Sequence, residues 1–373
     1  MPRLYFDYNA TTPLAPSVRE KLKFLLKQDL KNPSSVHTEG RAAREAVDAA
    51  RGQLASLLDC LPDEIVFTSG ATESNNWVFK SIFQNRPPRR NRIVTTSVEH
   101  SAVWFPLQKL KNQGVELVVI PVSSEGVLDM DALNRAVDDS TLLVSVMLTN
   151  NETGMVFPVA EIASKIRGRG AYFHTDAACA LGKMPVSFRK LGVDFLSFSG
   201  TKFYAPKGVG GLLVHHGLSL SPLISGGKQQ RGLRAGTENV EGIVALSEGL
   251  NFSLQDIEKE ILRLYELRLK ICEGLRQMSP KCLFHEGQDQ LPGTLNVSFP
   301  GLSGQVLLAR LDLEGVAASY GSACQSGTLE VSRALLGMGI SEEEAESSIR
   351  LSFGKMTTEQ DVENLLGIFK KIL

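Results

Sequence analysis

The segment AYFHTDAACALGKMPVSFRKLGVDFLSFSGTK, residues 171–202, contains two short apolar runs, AYFHTD and VDFLSFS, that have the length of buried strands. Five similar runs occur around them, and segments of helical periodicity lie between several of the seven. The candidate strands are residues 64–69, 92–98, 115–122, 142–150, 171–176, 193–199 and 211–215, and the clearest helices between them are 102–112, 130–137 and 159–167. Strand and helix in alternation predict an α/β fold with a mostly parallel seven-stranded sheet.

The regular alternation ends after Gly249. A long amphipathic stretch, residues 254–278, is followed by candidate strands at 294–299, 316–319 and 349–353 and by candidate helices at 305–313 and 359–372. This α+β composition predicts a second, smaller domain, and we expect the start of the chain to pack against it. The predicted division is a large domain over residues 15–253 and a small domain formed by residues 1–14 and 254–373.

Charge and composition exclude several classes of protein. The 373 residues carry 40 Lys and Arg against 41 Asp and Glu, a formal charge of −1, and the charges are interspersed. This balance argues against nucleic acid or an anionic membrane as the main partner. With 43% hydrophobic and 22% charged residues, the chain is neither disordered nor fibrous in composition.

Targeting and cysteine patterns point to a reducing compartment. The N-terminus MPRLYFDYNATTPL lacks the apolar core of a signal peptide, so we expect a cytoplasmic protein. The longest apolar runs, 115–122 and 141–148, are far shorter than the roughly 20 residues that span a bilayer. The five cysteines are scattered without a C-x-x-C pair, which indicates neither a disulfide framework nor a metal site.

Three features of the predicted large domain could carry chemistry. SGATESNN, residues 69–76, places a glycine turn before helix-forming residues and so directs free backbone N–H groups at an anion. Asp176 ends a strand, and Lys202 follows an apolar strand 26 residues later. Each feature alone also fits an ordinary N-cap, an Asx turn or a solvated lysine. In this order, however, an anion cradle, a carboxylate for a pyridinium and an imine-forming amine are what a pyridoxal phosphate enzyme requires.

With these features in place, a family resemblance extends over nearly the whole chain. The chain resembles the class V aminotransferases, and within them the cysteine desulfurases of the iron–sulfur-assembly and nitrogen-fixation type. The motifs that carry the resemblance are, in order, FDYNATTP, SGATESNN, EHSAV, NNETG, HTDAA, FSGTK, RGLRAGTENV, YGSACQSGTLE and SIRLSFGK. The resemblance implies a pyridoxal-phosphate-dependent transferase of fold type I, active as a homodimer.

The resemblance also implies roles for individual residues. Lys202 would form the imine with the cofactor, Asp176 would pair with the pyridine nitrogen, and His100 would stack on the ring and move protons. The cofactor-binding set implied in this way is Ala71, Thr72, His100, Asn151, Asp176, Cys179, Ser199, Thr201, Lys202 and Thr237. Thr237 would reach the phosphate of the other subunit. Asn151 and Arg350 would hold the carboxylate of the substrate.

Cys324, in ASYGSACQSG, is the predicted catalytic cysteine of the small domain. Its neighbours are small or polar, and a thiol that passes a sulfur atom on needs access to solvent. Cys60 and Cys272 lack this context and are predicted to be packing residues.

Two positions depart from the family pattern. Thr201 stands where the family usually has His, and Cys179 stands where it usually has Gln. Both positions normally contact the cofactor, so these substitutions predict weaker cofactor binding while the roles of Lys202, Asp176 and Cys324 remain.

The predicted function is cysteine desulfuration: L-cysteine gives L-alanine and a Cys324 persulfide, which passes to an acceptor protein such as an iron–sulfur scaffold. One alternative is a selenocysteine lyase, which would not need Cys324. Another is a cofactor-poor scaffold of the same fold that binds sulfur-acceptor proteins.

Overall fold

A seven-stranded sheet forms the centre of the larger part of the molecule in the computed structural model, which describes residues 3–321 and 331–373. The strands of the described ranges are β1 Leu4–Tyr5, β2 Ile65–Thr68, β3 Arg92–Thr96, β4 Glu116–Ile120, β5 Thr141–Ser145, β6 Tyr172–Asp176, β7 Phe195–Ser199, β8 Gly210–Val214, β9 Leu283–Phe284, β10 Thr294–Ser298, β11 Val316–Ala317 and β12 Ser348–Ser352. The order in the large sheet is β2-β8-β7-β6-β5-β3-β4, in which only β8 runs antiparallel to its neighbours. The predicted mostly parallel seven-stranded sheet is therefore confirmed.

Helices connect these strands and cover the sheet. The helices of the described ranges are α1 Pro16–Gln28, α2 Thr38–Leu58, α3 Ala71–Gln84, α4 Ser101–Lys111, α5 Met130–Ala136, α6 Val159–Ile166, α7 Phe188–Leu191, α8 Val240–Leu254, α9 Ile257–Met278, α10 Gly304–Leu313, α11 Arg333–Gly337, α12 Glu342–Glu346 and α13 Glu359–Ile372. Helices α1 and α2 both pack against α8. None of the helices in the described ranges is long and apolar enough to cross a membrane.

Two sequence predictions differ from the structure at their ends. The strand predicted over residues 142–150 ends at Ser145, because the chain beyond it turns into the loop that carries Asn150 and Asn151. The helix predicted over residues 254–278 is two helices in this region. Leu254 ends α8, and Asp256 adopts a left-handed conformation with φ of 51° that breaks the helical path.

The C-terminal part of the chain builds two small sheets. β10 lies between β12 and β9 in an antiparallel sheet, and β1 pairs in parallel with β11. Leu4 and Phe6 pack in the same apolar core as residues of α9, β10, β12 and α13. The start of the chain thus packs against the C-terminal elements as expected, while the exact domain boundaries stay a prediction.

Candidate active site

A cavity of about 240 Å³ lies at the carboxyl ends of the central strands, where loops and the start of the chain meet. Ten of the predicted site residues line it: Ala71, Thr72, His100, Asn151, Asp176, Cys179, Ser199, Thr201, Lys202 and Arg350. Ligands of open α/β sheets bind at this edge, so the location agrees with the topology. The fold thus brings these residues, which are widely separated in sequence, to one cavity.

The two remaining predicted residues are not in this cavity. Thr237 lines a neighbouring cavity of about 70 Å³ that shares Ser69 with the first. Cys324 lies outside the described residues.

The turn before α3 forms an open cradle. Gly70 has φ of 154°, and a Cβ atom there would lie 3.3 Å from Ser199 Oγ, so the glycine keeps the space beside this hydroxyl free. Helix α3 begins at Ala71, and the first N–H groups of a helix have no partner within it. The Ser199 and Thr201 hydroxyls lie 3.1 Å apart on the same cavity. Backbone N–H groups and hydroxyls around a helix N-terminus form a donor set suited to a phosphate.

Asp176 is held in place by two hydrogen bonds. Its Oδ1 accepts from the Ala178 N–H at 2.9 Å, and its Oδ2 accepts from Asn75 Nδ2 at 2.8 Å. Asn75 is fully buried on α3, so the carboxylate is fixed by a side chain that cannot move into solvent. This arrangement presents a fixed carboxylate to any ligand in the cavity.

His174 extends the network below Asp176. The ring is fully buried between neighbouring strands, with Nδ1 at 2.9 Å from Ser145 Oγ and Nε2 at 3.1 Å from both Asn75 Oδ1 and Ser197 Oγ. Burial lowers the pKa of His174 to about 4, although the Asp176 charge opposes this shift. The ring is therefore neutral near pH 7, and it orients the amide that holds Asp176.

Lys202 ends a short 3₁₀ turn, residues 200–202, that follows β7 directly. Its Nζ donates to the main-chain oxygens of Asn9 and Ala10, each at 2.7 Å. The start of the chain also holds the residues around it, because Thr12 N–H donates to Thr201 O at 2.8 Å. The amine thus lies at the cavity between the large sheet and the N-terminal segment.

His100 caps helix α4 from within the cavity wall. Its Nδ1 accepts from the Ala102 N–H at 3.1 Å, which assigns the ring proton to Nε2. Burial lowers the pKa of His100 below its ordinary value, while the charge of Asp176 acts in the opposite direction. The preceding Glu99 is also buried, and burial raises its pKa to about 8. Both side chains are therefore mainly neutral near pH 7.

Arg350 lies on β12 and is only 1% exposed. Its Nη2 donates to Asp7 Oδ1 at 2.7 Å, and its Nη1 donates to the Asn151 main-chain oxygen at 3.1 Å. Its Nε is buried and has no protein partner in the part of the chain that the structure describes. Arg350 lines the cavity, so its guanidinium places a positive charge beside a carboxylate ligand bound there.

Asn9, Asn75 and Lys183 were missed by the sequence analysis as site residues. Asn9 and Asn75 lie in two of the quoted motifs, and Asn75 follows Ala71 by one helical turn, so helical spacing could have found it. Neither periodicity nor spacing relates Asn9 and Lys183 to Lys202, because their contacts form only in the folded chain.

The donor set fits pyridoxal phosphate. The Gly70 turn offers N–H groups to a phosphate, Asp176 is fixed to accept from a protonated ring nitrogen, and Lys202 supplies a primary amine. The Arg350 guanidinium adds a positive charge at the cavity for the carboxylate of an amino acid. These are the groups that bind and tune this cofactor.

Comparison with known proteins points in the same direction. The family model for class-V aminotransferases matches residues 4–365. Cysteine desulfurase IscS of Dictyoglomus turgidum is 42% identical over 371 residues, covering 99% of this chain and 94% of the relative. A solved NifS-like protein superposes with a TM-score of 0.94 at 35% identity, covering 99% of both chains. The solved complex of SspA with cysteine superposes with a TM-score of 0.81 at 32% identity, covering 95% of this chain and 100% of the other.

Proposed function

The chain belongs to the aminotransferase class-V family, and on this premise we propose that its cavity is the active site of a pyridoxal-phosphate-dependent cysteine desulfurase. The enzyme removes sulfur from L-cysteine and leaves L-alanine. The observation that carries the proposal is the convergence of Lys202, Asp176 and the Gly70 turn on one cavity of about 240 Å³. A solved relative with cysteine bound supports the same substrate here.

The N–H groups of Ala71 and Thr72, at the start of α3, and the hydroxyls of Ser199 and Thr201 would hold the phosphate of the cofactor. Asp176 keeps the proton on the ring nitrogen through a charge-assisted hydrogen bond. When bound, pyridoxal phosphate supplies an electron sink for the negative charge that develops at the substrate Cα.

Lys202 and His100 would transfer the protons. The Lys202 amine would hold the cofactor covalently and, as a free amine, would take the proton from the substrate Cα. His100 offers an N–H at Nε2, because its Nδ1 accepts from the Ala102 N–H. A neutral imidazole with this tautomer can donate to an oxygen of the cofactor or move a proton to the substrate.

Arg350 and Asn151 hold the substrate carboxylate. Arg350 lines the cavity. The Asn151 main-chain oxygen already accepts from Arg350 Nη1 and Asn9 Nδ2, so the Asn151 side-chain amide is the group that would bind the ligand. A planar guanidinium orients the carboxylate, so the Cα–H bond of the substrate points in a fixed direction.

Cys324 takes the sulfur. Its thiolate attacks the substrate sulfur, a new S–S bond forms and the C–S bond breaks. The electron pair of the broken bond goes to the substrate carbon, which takes a proton and becomes the methyl group of alanine. One cysteine and one enzyme thiol thus give one alanine and one persulfide. Burial raises the pKa of Cys60 to about 12 and of Cys272 to about 11, which makes both thiols poor carriers.

The active form is a homodimer that passes the persulfide to a sulfur-acceptor protein, such as an iron–sulfur scaffold, in the cytoplasm. The position of Thr237 supports the dimer, since it lines the neighbouring cavity and not the one that holds Lys202 of the same chain. A residue placed in this way serves the phosphate of a second subunit.

Borohydride reduction of the holoenzyme followed by peptide mapping tests the assignment of Lys202. We expect the reduced adduct on Lys202, and Lys202→Ala should lose the adduct and almost all turnover. Lys207→Ala is the matched control, because Lys207 is exposed five residues away and should keep both. An adduct on any other lysine would contradict the assignment.

Mass spectrometry after incubation with L-cysteine tests Cys324. One additional sulfur atom is expected on this residue, and Cys324→Ala should keep the cofactor spectrum but lose alanine formation. Turnover of selenocysteine by Cys324→Ala, without turnover of cysteine, would separate selenium release from sulfur transfer. Undiminished cysteine turnover would show that another thiol, such as Cys179, carries the sulfur.

A further inference from the structure

Lys183 is a second lysine close to the site, and none of the proposed roles uses it. It follows Asp176 by seven residues, and its Nζ donates to Asn9 Oδ1. Its hydrogen-bond partner is thus a neutral amide and not a carboxylate. Burial lowers the pKa of Lys183 to about 8, because the ammonium has lost water without gaining an ion-pair partner. A buried lysine without an ion-pair partner lowers the stability of the fold. A role in the active site would account for its presence here.

Asn9 joins several segments near Lys202, and it is only 3% exposed. Each of its polar groups is bound: the N–H donates to Ser352 Oγ at 2.9 Å, Nδ2 donates to Asn151 O and to Thr294 Oγ1 at 2.9 Å each, Oδ1 accepts from Lys183, and the main-chain oxygen accepts from Lys202 at 2.7 Å. Two lysine side chains therefore share one residue. The side chain of Asn9 holds its own main-chain oxygen in position.

This geometry makes the position of the Lys202 amine depend on Lys183. The Lys202 Nζ binds only main-chain oxygens of Asn9 and Ala10 among the described residues, so its place follows the conformation of this short segment. The Lys183–Asn9 hydrogen bond fixes the Asn9 side chain from the other direction. Through Asn151 O, which also accepts from Arg350 Nη1, the same residue reaches the substrate-carboxylate site.

We propose that Lys183 and Asn9 are positioning residues. Lys183 anchors the Asn9 side chain, and Asn9 holds the Lys202 amine at a fixed position relative to Asn151 and Arg350. The inference rests on the proposed role of Lys202. Lys183 acts through the Asn9 side chain, and that side chain acts through the Asn9 main-chain oxygen, which accepts from the Lys202 amine. Displacing a reacting group by about 1 Å can lower a reaction rate by about a hundredfold. Loss of the Lys183–Asn9–Lys202 contacts should therefore have a measurable effect on the rate.

Several charged and titratable groups face Lys183 and contribute to its electrostatics. The charges that act on Lys183 are those of Cys179, Lys202, Arg350 and Asp7. Tyr8, Tyr204, Glu260 and Lys355 line, together with Lys183, a small cavity of about 20 Å³ beside the site. Lys355 offers a matched control because its Nζ donates to Phe252 O at 2.8 Å and to Gln255 O, and not to Asn9.

The test uses Lys183→Met, which keeps the length of the side chain but removes its donor, and Lys183→Arg, which restores a donor. The first readout is the rate at which added pyridoxal phosphate forms a borohydride-reducible link to Lys202 in the full-length apoprotein. The second is the pH dependence of Lys202 methylation in the apoprotein, followed by mass spectrometry. We expect Lys183→Met to slow link formation by about ten- to a hundredfold, Lys183→Arg to recover most of the rate, and Lys355→Met to behave as wild type.

Asn9→Asp separates the contact of Asn9 with Lys183 from its contacts with Asn151 and Thr294. It keeps an oxygen for Lys183 but loses the amide donors to Asn151 and Thr294. We expect nearly normal link formation at Lys202 and a raised KM for cysteine, whereas Lys183→Met should mainly lower kcat. This variant also keeps the proposal testable if Lys183→Met does not fold.

The possible failures are distinguishable. If the wild-type link maps to another lysine, the proposed role of Lys202 is wrong. If the link maps to Lys202 but forms at the same rate and with the same pH profile in Lys183→Met, only the positioning inference is overturned. An unchanged KM in Asn9→Asp would likewise overturn the connection to the carboxylate site.

Discussion

Two groups of residues border the cavity, and they are built in different ways. The sheet group, Asp176, Asn75 and His174, comes from β6 and the adjoining α3, with serines of the flanking strands as partners. The junction group, Asn9, Asn151 and Arg350, joins the start of the chain, the loop after β5 and the strand β12.

The difference lies in charge and in chain separation. The sheet group holds one charge, Asp176, within a network of neutral donors and acceptors on one sheet and on helix α3, which packs against it. The junction group collects Arg350, Asp7 and the two lysines bound to Asn9, across separations of up to 343 residues. The sheet group is fixed once α3 packs on the sheet. A network between distant segments depends on how they pack, so small changes there should shift substrate binding before they unfold the protein.

Asp176→Asn should show the largest effect of any change in the sheet group. The variant keeps the size of the side chain and loses the charge that holds a proton on the ring nitrogen, so kcat for alanine formation should fall by about 10²–10³-fold. Asp194→Asn is the control, since Asp194 accepts from the Phe173 N–H at 2.8 Å outside the cavity. A fall of less than tenfold for Asp176→Asn would show that the sheet group is not the electrostatic centre of the site.

Arg350→Lys tests the junction group. Lysine retains the charge but not the planar fork, so KM for cysteine should rise by about ten- to a hundredfold, with a smaller change in kcat. Arg263→Lys is the matched control, because Arg263 donates to Thr357 O at 2.7 Å away from the cavity. A change confined to kcat would mean that Arg350 does not bind the substrate carboxylate.

The two groups should respond to protons in different pH ranges. The pKa of His174 is about 4 in the folded chain against 6.5 without burial, so stability is lost as pH falls from 6.5 towards 4. The loss is about 3 kcal/mol at most, and His174→Gln should remove it. The pKa of Lys183 is about 8 against 10.5, so stability rises with pH between 8 and 10.5, and Lys183→Met should remove this rise.

Urea unfolding of wild type and both variants across pH 4–10.5 provides the measurement. The difference between wild type and His174→Gln should vary only in the acid range, and that between wild type and Lys183→Met only in the alkaline range. Parallel curves for wild type and a variant would show that the residue concerned does not change its protonation on unfolding.

The smallest expected effect concerns Thr201 and Cys179. Thr201 offers a neutral hydroxyl where the family usually has a histidine, and Cys179 offers a weak S–H donor in place of an amide; each lost contact should cost about 1 kcal/mol in cofactor affinity. The Thr201→His, Cys179→Gln double variant should therefore retain cofactor several-fold better on dialysis. Faster loss from the double variant would indicate that Ser199, which lies 3.1 Å from Thr201, already supplies the donor.

Of the sheet group, only Asp176 was predicted from the sequence, whereas Asn75 and His174 were missed. Asp176 ends β6 and Lys202 follows β7 by a short turn. Parallel strands place such ends at one edge of the sheet, so this pair could be predicted from the pattern. Arg350 and Asn151 were found only through family motifs. Asn9 stood in a quoted motif without a role, because its partners lie in segments that no periodicity connects.

Local sequence patterns account for the alternation of strands and helices, the glycine turn before α3 and the polar residues at the strand ends. These features depend on side-chain period and backbone preference, which act over a few residues. The contacts of Asn9 with Lys183, Lys202, Asn151, Thr294 and Ser352 arise instead from the packing of distant segments. A buried polar side chain binds whichever groups this packing brings within about 3 Å, and no local preference specifies them.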